Sequence, residues 1–152
     1  MTRRARDTHT LDLFADWTPP AVVERFEERA VRAASWRDRV AKAVARTLAD
    51  QSRDEVAEAM SDWLGEPVSR AMLDNYASQA KDEHTISFVR VIALSVVTGD
   101  ARLLQLAAEA LDRAVIETRY LGAIQEAMAG EQIERLERMR RIGRRQWRSG
   151  RA

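Results

Sequence analysis

The residues of this chain best suited to chemistry are polar side chains that recur along one short segment, residues 69–81. Met72, Leu73 and Tyr76 follow the spacing of a buried helical face. The polar residues predicted to face outward are Ser69, Arg70, Asp74, Asn75, Ser78, Gln79 and Lys81. Arginine pairs with guanine and asparagine with adenine, each through two hydrogen bonds. Arg70 and Asn75 are therefore the best candidates for contacts with DNA bases, although an ordinary solvated helix shows a similar face.

Two predicted helices position these residues. Ser52 and Glu55 have the spacing of a capping box, which predicts that a helix starts there. The buried stripe predicted for this helix consists of Val56, Ala57, Met60, Trp63 and Leu64. Gly65 suits a left-handed helix end, and Ser69 suits the cap of the next helix. Two helices joined in this way have the layout of a helix-turn-helix, whose second helix enters the major groove of DNA.

The preceding segment predicts two supporting helices. One spans about residues 21–34, and a second runs from a cap at Ser35 to about Asp50. The apolar face predicted for the second helix comprises Trp36, Val40, Val44 and Leu48, with Arg37, Arg39, Lys42 and Arg46 turned elsewhere. Two interpretations of Arg37, Lys42 and Arg46 are open: a solvated surface, or contacts to phosphates beside the second helix of the pair.

The segment after the pair predicts the core of the domain. Residues 86–98 are apolar on nearly every side except at Arg90, which is typical of a central buried helix ended by Gly99. The β-branched residues also suit a strand, but about thirteen residues exceed the usual strand length. Asp100 is predicted to cap a further helix with a broad apolar face that begins at Leu103.

From Leu111 onward the pattern stays helical, although Gly122 and Gly130 weaken it. The apolar trace consists of Val115, Leu121, Ile124, Met128, Ile133, Leu136, Met139 and Ile142. An isolated helix with such a stripe needs a partner, which predicts a homo-oligomer formed through the C-terminal helix. The arginine-rich end with Trp147 suits a nucleic-acid-binding tail, a disordered solubilising tail or a contact with anionic lipid.

These elements predict an all-α fold: a compact helical domain with a helix-turn-helix and a long C-terminal helical tail. Residues 1–20 form a predicted N-terminal arm, whose apolar patch from Leu11 to Trp17 ends at two prolines. Consecutive prolines prevent a helix from running through them, so the patch is predicted to dock as a short strap. Residues 21–115 form the predicted domain, and residues 116–152 the arginine-rich tail.

Composition excludes several classes of function. The chain has no cysteine and two histidines, so thiol catalysis and cysteine-based metal sites are absent. It carries no phosphate-binding glycine loop and no nucleophile elbow, and we therefore expect neither an enzyme nor a cofactor, metal or small-molecule ligand. No apolar run approaches the roughly 18 residues of a membrane span, so we expect a cytoplasmic protein without membrane contact.

The formal charge of +1 conceals a strong polarisation along the chain. Residues 25–46 carry a net charge of +4 and residues 131–152 carry +5, whereas residues 53–83 carry −5. Such a distribution suits a polyanion contacted by the flanking segments, or a basic tail that meets the acidic surface of another subunit. The acidic charge of the helix pair opposes DNA binding, because affinity for duplex DNA comes largely from phosphate neutralisation.

The run SRDEVAEAMSDWLGEPVSRAMLDNYASQAK and the sequence after it resemble the helix-turn-helix regulators of temperate phages, especially a protein of Mu-like transposable phages. TGDARLL is similar to the VTGD-x-x-LL stretch of phage CII-type regulators, and LDLFADWTPP resembles the N-terminal arm of the Mu-like group. The resemblance covers about residues 10–108. It implies an oligomeric transcriptional regulator that binds duplex DNA without a cofactor and recognises it with residues 69–79.

The leading hypothesis is therefore a DNA-binding regulator of phage or prophage origin. One alternative is a helical protein-interaction module, with a partner such as a transposase or a host factor. Another is a protein that coats nucleic acid non-specifically through its arginine-rich tail. The connector of the helix pair is longer than the three to four residues of a compact helix-turn-helix, which is a departure from the usual pattern.

Overall fold

The computed structural model describes residues 21–80 and 84–150. The chain forms a compact all-helical domain followed by one long helix. The helices are α1 (Glu28–Val31), α2 (Trp36–Thr47), α3 (Arg53–Leu64), α4 (Arg70–Tyr76), α5 (Phe88–Thr98), α6 (Arg102–Glu109) and α7 (Leu121–Ser149), with a 3₁₀ turn (Thr118–Tyr120) before α7. The predicted arm, residues 1–20, and Lys81 lie outside the described residues.

Side-chain caps begin most of these helices, as predicted for α2, α3 and α4. The hydroxyl oxygens of Ser35, Ser52 and Ser69 each accept a hydrogen bond from the amide three residues later, at 3.1, 3.5 and 3.3 Å. Gly65 and Gly99 end α3 and α5 with φ of +70° and +69°, which glycine adopts without the steric cost of a Cβ. Each cap satisfies backbone groups that the helix itself leaves unpaired.

The core lies where α2, α3, α5 and α6 meet. Its fully buried side chains include Val44, Leu48, Met60, Leu73 and Leu94. The α3–α5 packing is the most extensive in the domain. Because Arg90 near the start of α5 bonds to Glu66, just after α3, these two helices run antiparallel. The short α4 lies against α3 and α2 and adds Leu73 and Tyr76 to the core.

The helix predicted over residues 21–34 is wrong for most of its length. Only Glu28–Val31 is helical, because the apolar residues of this segment are too few to bury a longer helix. Val31 is buried in the core and Phe26 packs partly against it. The segment therefore lies on the domain as an irregular strap with one helical turn.

Two tryptophans assigned to buried faces are exposed. Trp36 at the start of α2 is 53% exposed, and the guanidinium of Arg39 lies over its ring, 5.0 Å from the ring centroid. Trp63 near the end of α3 is 49% exposed. The remaining residues of both stripes, including Val44 and Met60, are buried or partly buried as predicted. The periodicity identified the correct faces but extended each of them by one residue.

Helix α5 is confirmed, but it is not buried on all sides. Ala93 and Leu94 face the core, whereas Phe88, Val89 and Val96 are 67%, 57% and 54% exposed. A hydroxyl cap at Ser87 begins the helix by accepting from the amide of Arg90. An exposed apolar row therefore runs along the outer side of α5.

The predicted long C-terminal helix is α7, and it continues through Gly122, Gly130 and Gly143. Every one of its residues is exposed, so it contributes nothing to the core of the domain. At 1.5 Å per residue its 29 residues span about 44 Å.

Candidate nucleic-acid interface

Helices α3 and α4 are joined by a five-residue connector, Gly65 to Ser69, that α3 itself holds in place. The hydroxyl of Ser61 accepts a hydrogen bond from the amide of Val68 at 2.8 Å and donates to the carbonyl of Ala57 at 2.7 Å. Val68 is buried beside this bond. The connector is longer than a minimal helix-turn-helix turn, but these contacts fix the position at which α4 starts.

The two faces of α4 differ sharply in their surroundings. Leu73 and Tyr76 are buried against the domain, while Ser69 and Arg70 at the start of the helix are exposed. The other predicted site residues on this element are Asp74, Asn75 and Ser78, which are half-buried, and Gln79, which is exposed. The structure thus leaves these six described candidates exposed or half-buried along α4 and at its C-terminal end, with Arg70 and Asn75 about 140° apart around the helix axis.

Ion pairs tie this side of α4 to α3. Arg70 donates to Asp54 at 3.0 Å and lies 3.8 Å from Asp74, which also pairs closely with Arg53. The side chain of Arg70 remains 61% exposed. Pairs between exposed side chains are worth at most about 1 kcal/mol, so little free energy is needed to redirect Arg70 towards another anion.

The three bases predicted on α2 do not form one patch. Arg37 donates to the backbone carbonyl of Gln79 at 2.9 Å, which places it beside the end of α4. Lys42 donates to the carbonyl of Arg32 at 2.6 Å, on the side facing α1. Arg46 is exposed and lines a cavity with Asp50 and Arg102. Nine helical residues separate Arg37 from Arg46, so they project on opposite sides of α2.

Arg90 is a residue whose role the sequence interpretation missed. It donates to Glu66 at 3.1 Å and to the hydroxyl of Tyr76, and so links α5 to the connector and to α4. Burial disfavours its charge, but the bonds to Tyr76 and Glu66 outweigh that effect and raise the pKa of Arg90 above its ordinary value. A lone arginine in an otherwise apolar helix was the sequence signal for such a link.

Acidic residues dominate the surface around α4. Within residues 53–80 two arginines face six carboxylates, a net charge of −4. Both arginines, Arg53 and Arg70, are paired with aspartates of the same element pair. The helix pair α3 and α4 therefore presents no surplus positive charge to a polyanion.

Other chemistry has little support in the part of the chain that the structure covers. Among those residues no cluster of three or more His, Asp or Glu side chains is arranged to hold a metal ion. His84 is exposed and lies in the segment before α5. No helix within residues 21–80 and 84–150 has the length and apolarity needed to cross a membrane.

Comparison of the chain with protein-family models, with curated proteins and with solved structures gave no significant match.

Proposed function

We propose that this protein is a DNA-binding transcriptional regulator of phage or prophage origin that recognises duplex DNA with α4. The observation that carries the proposal is the exposure of Ser69 and Arg70 at the start of α4, a helix whose Leu73 and Tyr76 are buried. A recognition helix needs such an exposed amino-terminal end, because its first residues contact base edges. Arg70 and Asn75 are the proposed base contacts, and the further proposed DNA-binding residues of this segment are Ser69, Asp74, Ser78, Gln79 and Lys81.

Phosphate contacts in this proposal come from basic residues outside the helix pair. Arg37 lies beside the end of α4 and is the nearest proposed phosphate contact. Lys42 and Arg46 project from other sides of α2, so they contact the DNA phosphates only if the duplex extends past α4. The arginine-rich second half of α7 supplies additional positive charge, which offsets the acidic surface of α3 and α4.

The protein acts as a homo-oligomer in this proposal. Helix α7 exposes apolar residues along its whole length, and an isolated helix of this kind is stabilised by burying them against a partner. Regulators of duplex DNA commonly bind as dimers whose symmetry matches two half-sites. The cytoplasm is the proposed location, and no catalytic activity is proposed.

The first experiment is selection of bound fragments from random DNA, followed by gel-shift titration of a selected and a scrambled duplex across a salt series. We expect binding that weakens with salt, by about 0.9 in log affinity per log unit of salt for each phosphate contact. Arg70→Ala is expected to weaken binding of the selected duplex about 5- to 100-fold and that of the scrambled duplex much less. Asn75→Ala is expected to change the sequence preference.

The matched control is Arg113→Ala, because Arg113 is an exposed arginine that donates to the carbonyl of the adjacent Asp112 and lies far along the chain from α4. It should leave both affinities unchanged. If Arg70→Ala and Asn75→Ala reduced the affinity for selected and scrambled DNA equally, α4 would not contact the bases.

A second candidate function is a helical protein-interaction module. It is favoured by the exposed apolar row of Phe88, Val89 and Val96 on α5, since apolar patches often mark binding surfaces. This function predicts no gel shift at any salt concentration. Deletion of residues 131–152 distinguishes a regulator from a protein that coats nucleic acid non-specifically through its tail. The deletion would abolish all DNA binding by a coating protein, whereas it would only weaken DNA binding by a regulator.

A further inference from the structure

The second half of α7 differs from the first half in charge. Residues 121–134 contain three glutamates and no base, whereas residues 135–149 contain seven arginines and one glutamate. All of these residues are exposed. The helix therefore has an acidic half nearest the domain and a basic half farthest from it.

The apolar residues of α7 are arranged symmetrically about the peptide bond that joins Glu137 to Arg138. Three pairs of apolar residues are equidistant from that bond: Leu136 with Met139, Ile133 with Ile142, and Met128 with Trp147. If two copies of α7 run antiparallel and cross at this bond, each of these six residues lies at the same level as an apolar residue of the other copy, whereas Leu121 and Ile124 have no such counterpart. At 100° per residue these side chains occupy one broad face of the helix.

The charged residues fit the same arrangement. In this arrangement three glutamates of one helix each lie close to the level of an arginine of the partner helix, on the same flank of the pair. The difference in level is at most two residues, or about 3 Å along the axis. These pairs are Glu126 with the partner's Arg148, Glu131 with the partner's Arg145, and Glu137 with the partner's Arg140. The two-fold symmetry repeats each pair, so six such contacts border the apolar face.

A parallel pair is disfavoured by the same charges. It would place the seven arginines of one basic half beside the identical seven of the other copy, and the acidic halves side by side. Like charges in such positions repel, and the parallel helix dipoles add to the repulsion. The antiparallel arrangement replaces both repulsions with attractions.

We propose that two copies of this protein associate through α7 as an antiparallel helix pair centred between Glu137 and Arg138. This rests on the association through α7 proposed above and adds its direction and register, independently of DNA binding. The two globular domains then lie at opposite ends of the pair. The basic end of each α7 then lies beside the acidic first half of the partner's α7.

The direction of pairing is tested with spin labels on single cysteines, since the chain has no native cysteine. In the full-length protein, Ala123→Cys and Glu134→Cys place labels on the side opposite the apolar face, and Ser149→Cys places one at the edge of that face, near the end of the helix. From the rise per residue and a lateral separation of about 18 Å between labels on two packed helices, the antiparallel pair gives separations between equivalent labels of about 45, 20 and 40 Å. A parallel pair gives similar short separations at all three positions, and that result would overturn the proposal.

The apolar face is tested by measuring the mass of full-length variants across a concentration series. Leu136→Asp should weaken dimer formation about 100-fold or more, because it removes two buried leucines per dimer. Ala127→Asp introduces the same charge on the opposite face and should leave dimer formation nearly unchanged. Equal effects of the two variants would contradict pairing through this face.

The outcomes separate this inference from the proposed function. A wild-type protein that is monomeric at every concentration overturns both the association and its antiparallel form. Short distances at all three labels overturn only the antiparallel form. Neither result bears on the gel shift of selected DNA, which tests the role of α4.

Discussion

At the scale of single residues, the carboxylate of Asp100 joins α2 to α6. It accepts hydrogen bonds from the hydroxyl of Thr47 on α2 and from the backbone amide and guanidinium of Arg102 on α6. Partial burial disfavours its charge, but the bonds from Arg102 outweigh this and lower the pKa of Asp100 below its ordinary value. The sequence predicted Asp100 as the cap of α6, but Ala101 occupies the cap position, and Asp100 accepts from the amide of Arg102 from one residue earlier. The contact with Thr47 required the tertiary fold.

The lowered pKa gives a prediction for the variant Asp100→Asn. A carboxylate whose pKa falls on folding contributes stability that is complete above its unfolded-state pKa of about 3.9 and is lost as pH falls through the folded-state value. We expect Asp100→Asn to lower the free energy of unfolding by about 2 kcal/mol at pH 7, since hydrogen bonds to a charged group are replaced by weaker ones. Urea unfolding at pH 7 and at acid pH measures the difference.

The difference between wild type and Asp100→Asn should shrink at acid pH, where both side chains are neutral. The control is Asp62→Asn on the exposed surface of α3, which should change the free energy of unfolding by less than about 0.5 kcal/mol. If the difference in the free energy of unfolding between wild type and Asp100→Asn were the same at both pH values, the charge of Asp100 would not contribute to stability.

At the scale of elements, local signals in the sequence predicted the helix ends well. The caps at Ser35, Ser52 and Ser69 and the ends at Gly65 and Gly99 depend on residues within one turn, so no knowledge of the fold was needed. Burial was predicted less well, because periodicity shows which face is apolar but not how far a neighbour covers it. The exposed row on α5 is an example, since among the helices of residues 21–80 and 84–150 only α3 and α6 pack closely against α5.

The left-handed end of α3 gives a prediction at this scale. Gly65→Ala is expected to lower the free energy of unfolding by about 1 kcal/mol, because a Cβ is disfavoured at φ of +70°. No atom lies within 4 Å of the added Cβ, so the cost comes from the backbone and not from a clash. Thermal or urea unfolding of the full chain measures it.

Gly130→Ala is the matched control for Gly65→Ala. Gly130 also has no atom within 4 Å of an added Cβ, but it lies inside α7 with ordinary helical geometry. Alanine favours a helix over glycine by about 1 kcal/mol, so this variant should raise helicity without loss of stability. If both variants destabilised the protein equally, the left-handed conformation of Gly65 would not be the cause.

At the scale of the whole molecule, the sequence predicted the parts of the candidate interface but not their arrangement. The exposed side of α4 followed from local periodicity. The positions of Arg37, Lys42 and Arg46 did not, because their directions depend on how α2 packs against α1, α4 and α6. The charge polarisation along the sequence remains in the fold: carboxylates surround α4, and seven arginines lie on the far half of α7.

The last prediction concerns the independence of the domain from α7. The core cluster runs from Val31 to Leu106, and no residue of α7 is buried. A chain ending at Tyr120 is therefore expected to keep its free energy of unfolding within about 1 kcal/mol of the full-length value, since exposed residues contribute little to it. Its helical circular dichroism should fall by the share of the 29 residues removed, and it should be monomeric.

Leu94→Ala in the full chain provides the contrast for this truncation. Leu94 is fully buried in α5, and its replacement should cost about 2–5 kcal/mol by leaving a cavity. If removing α7 destabilised the domain as much as Leu94→Ala does, α7 would have to pack against the domain of the same or another copy. If the truncated chain is instead stable and monomeric, residues 21–120 contain the whole core and α7 is responsible for self-association, because removing α7 then abolishes association without loss of stability.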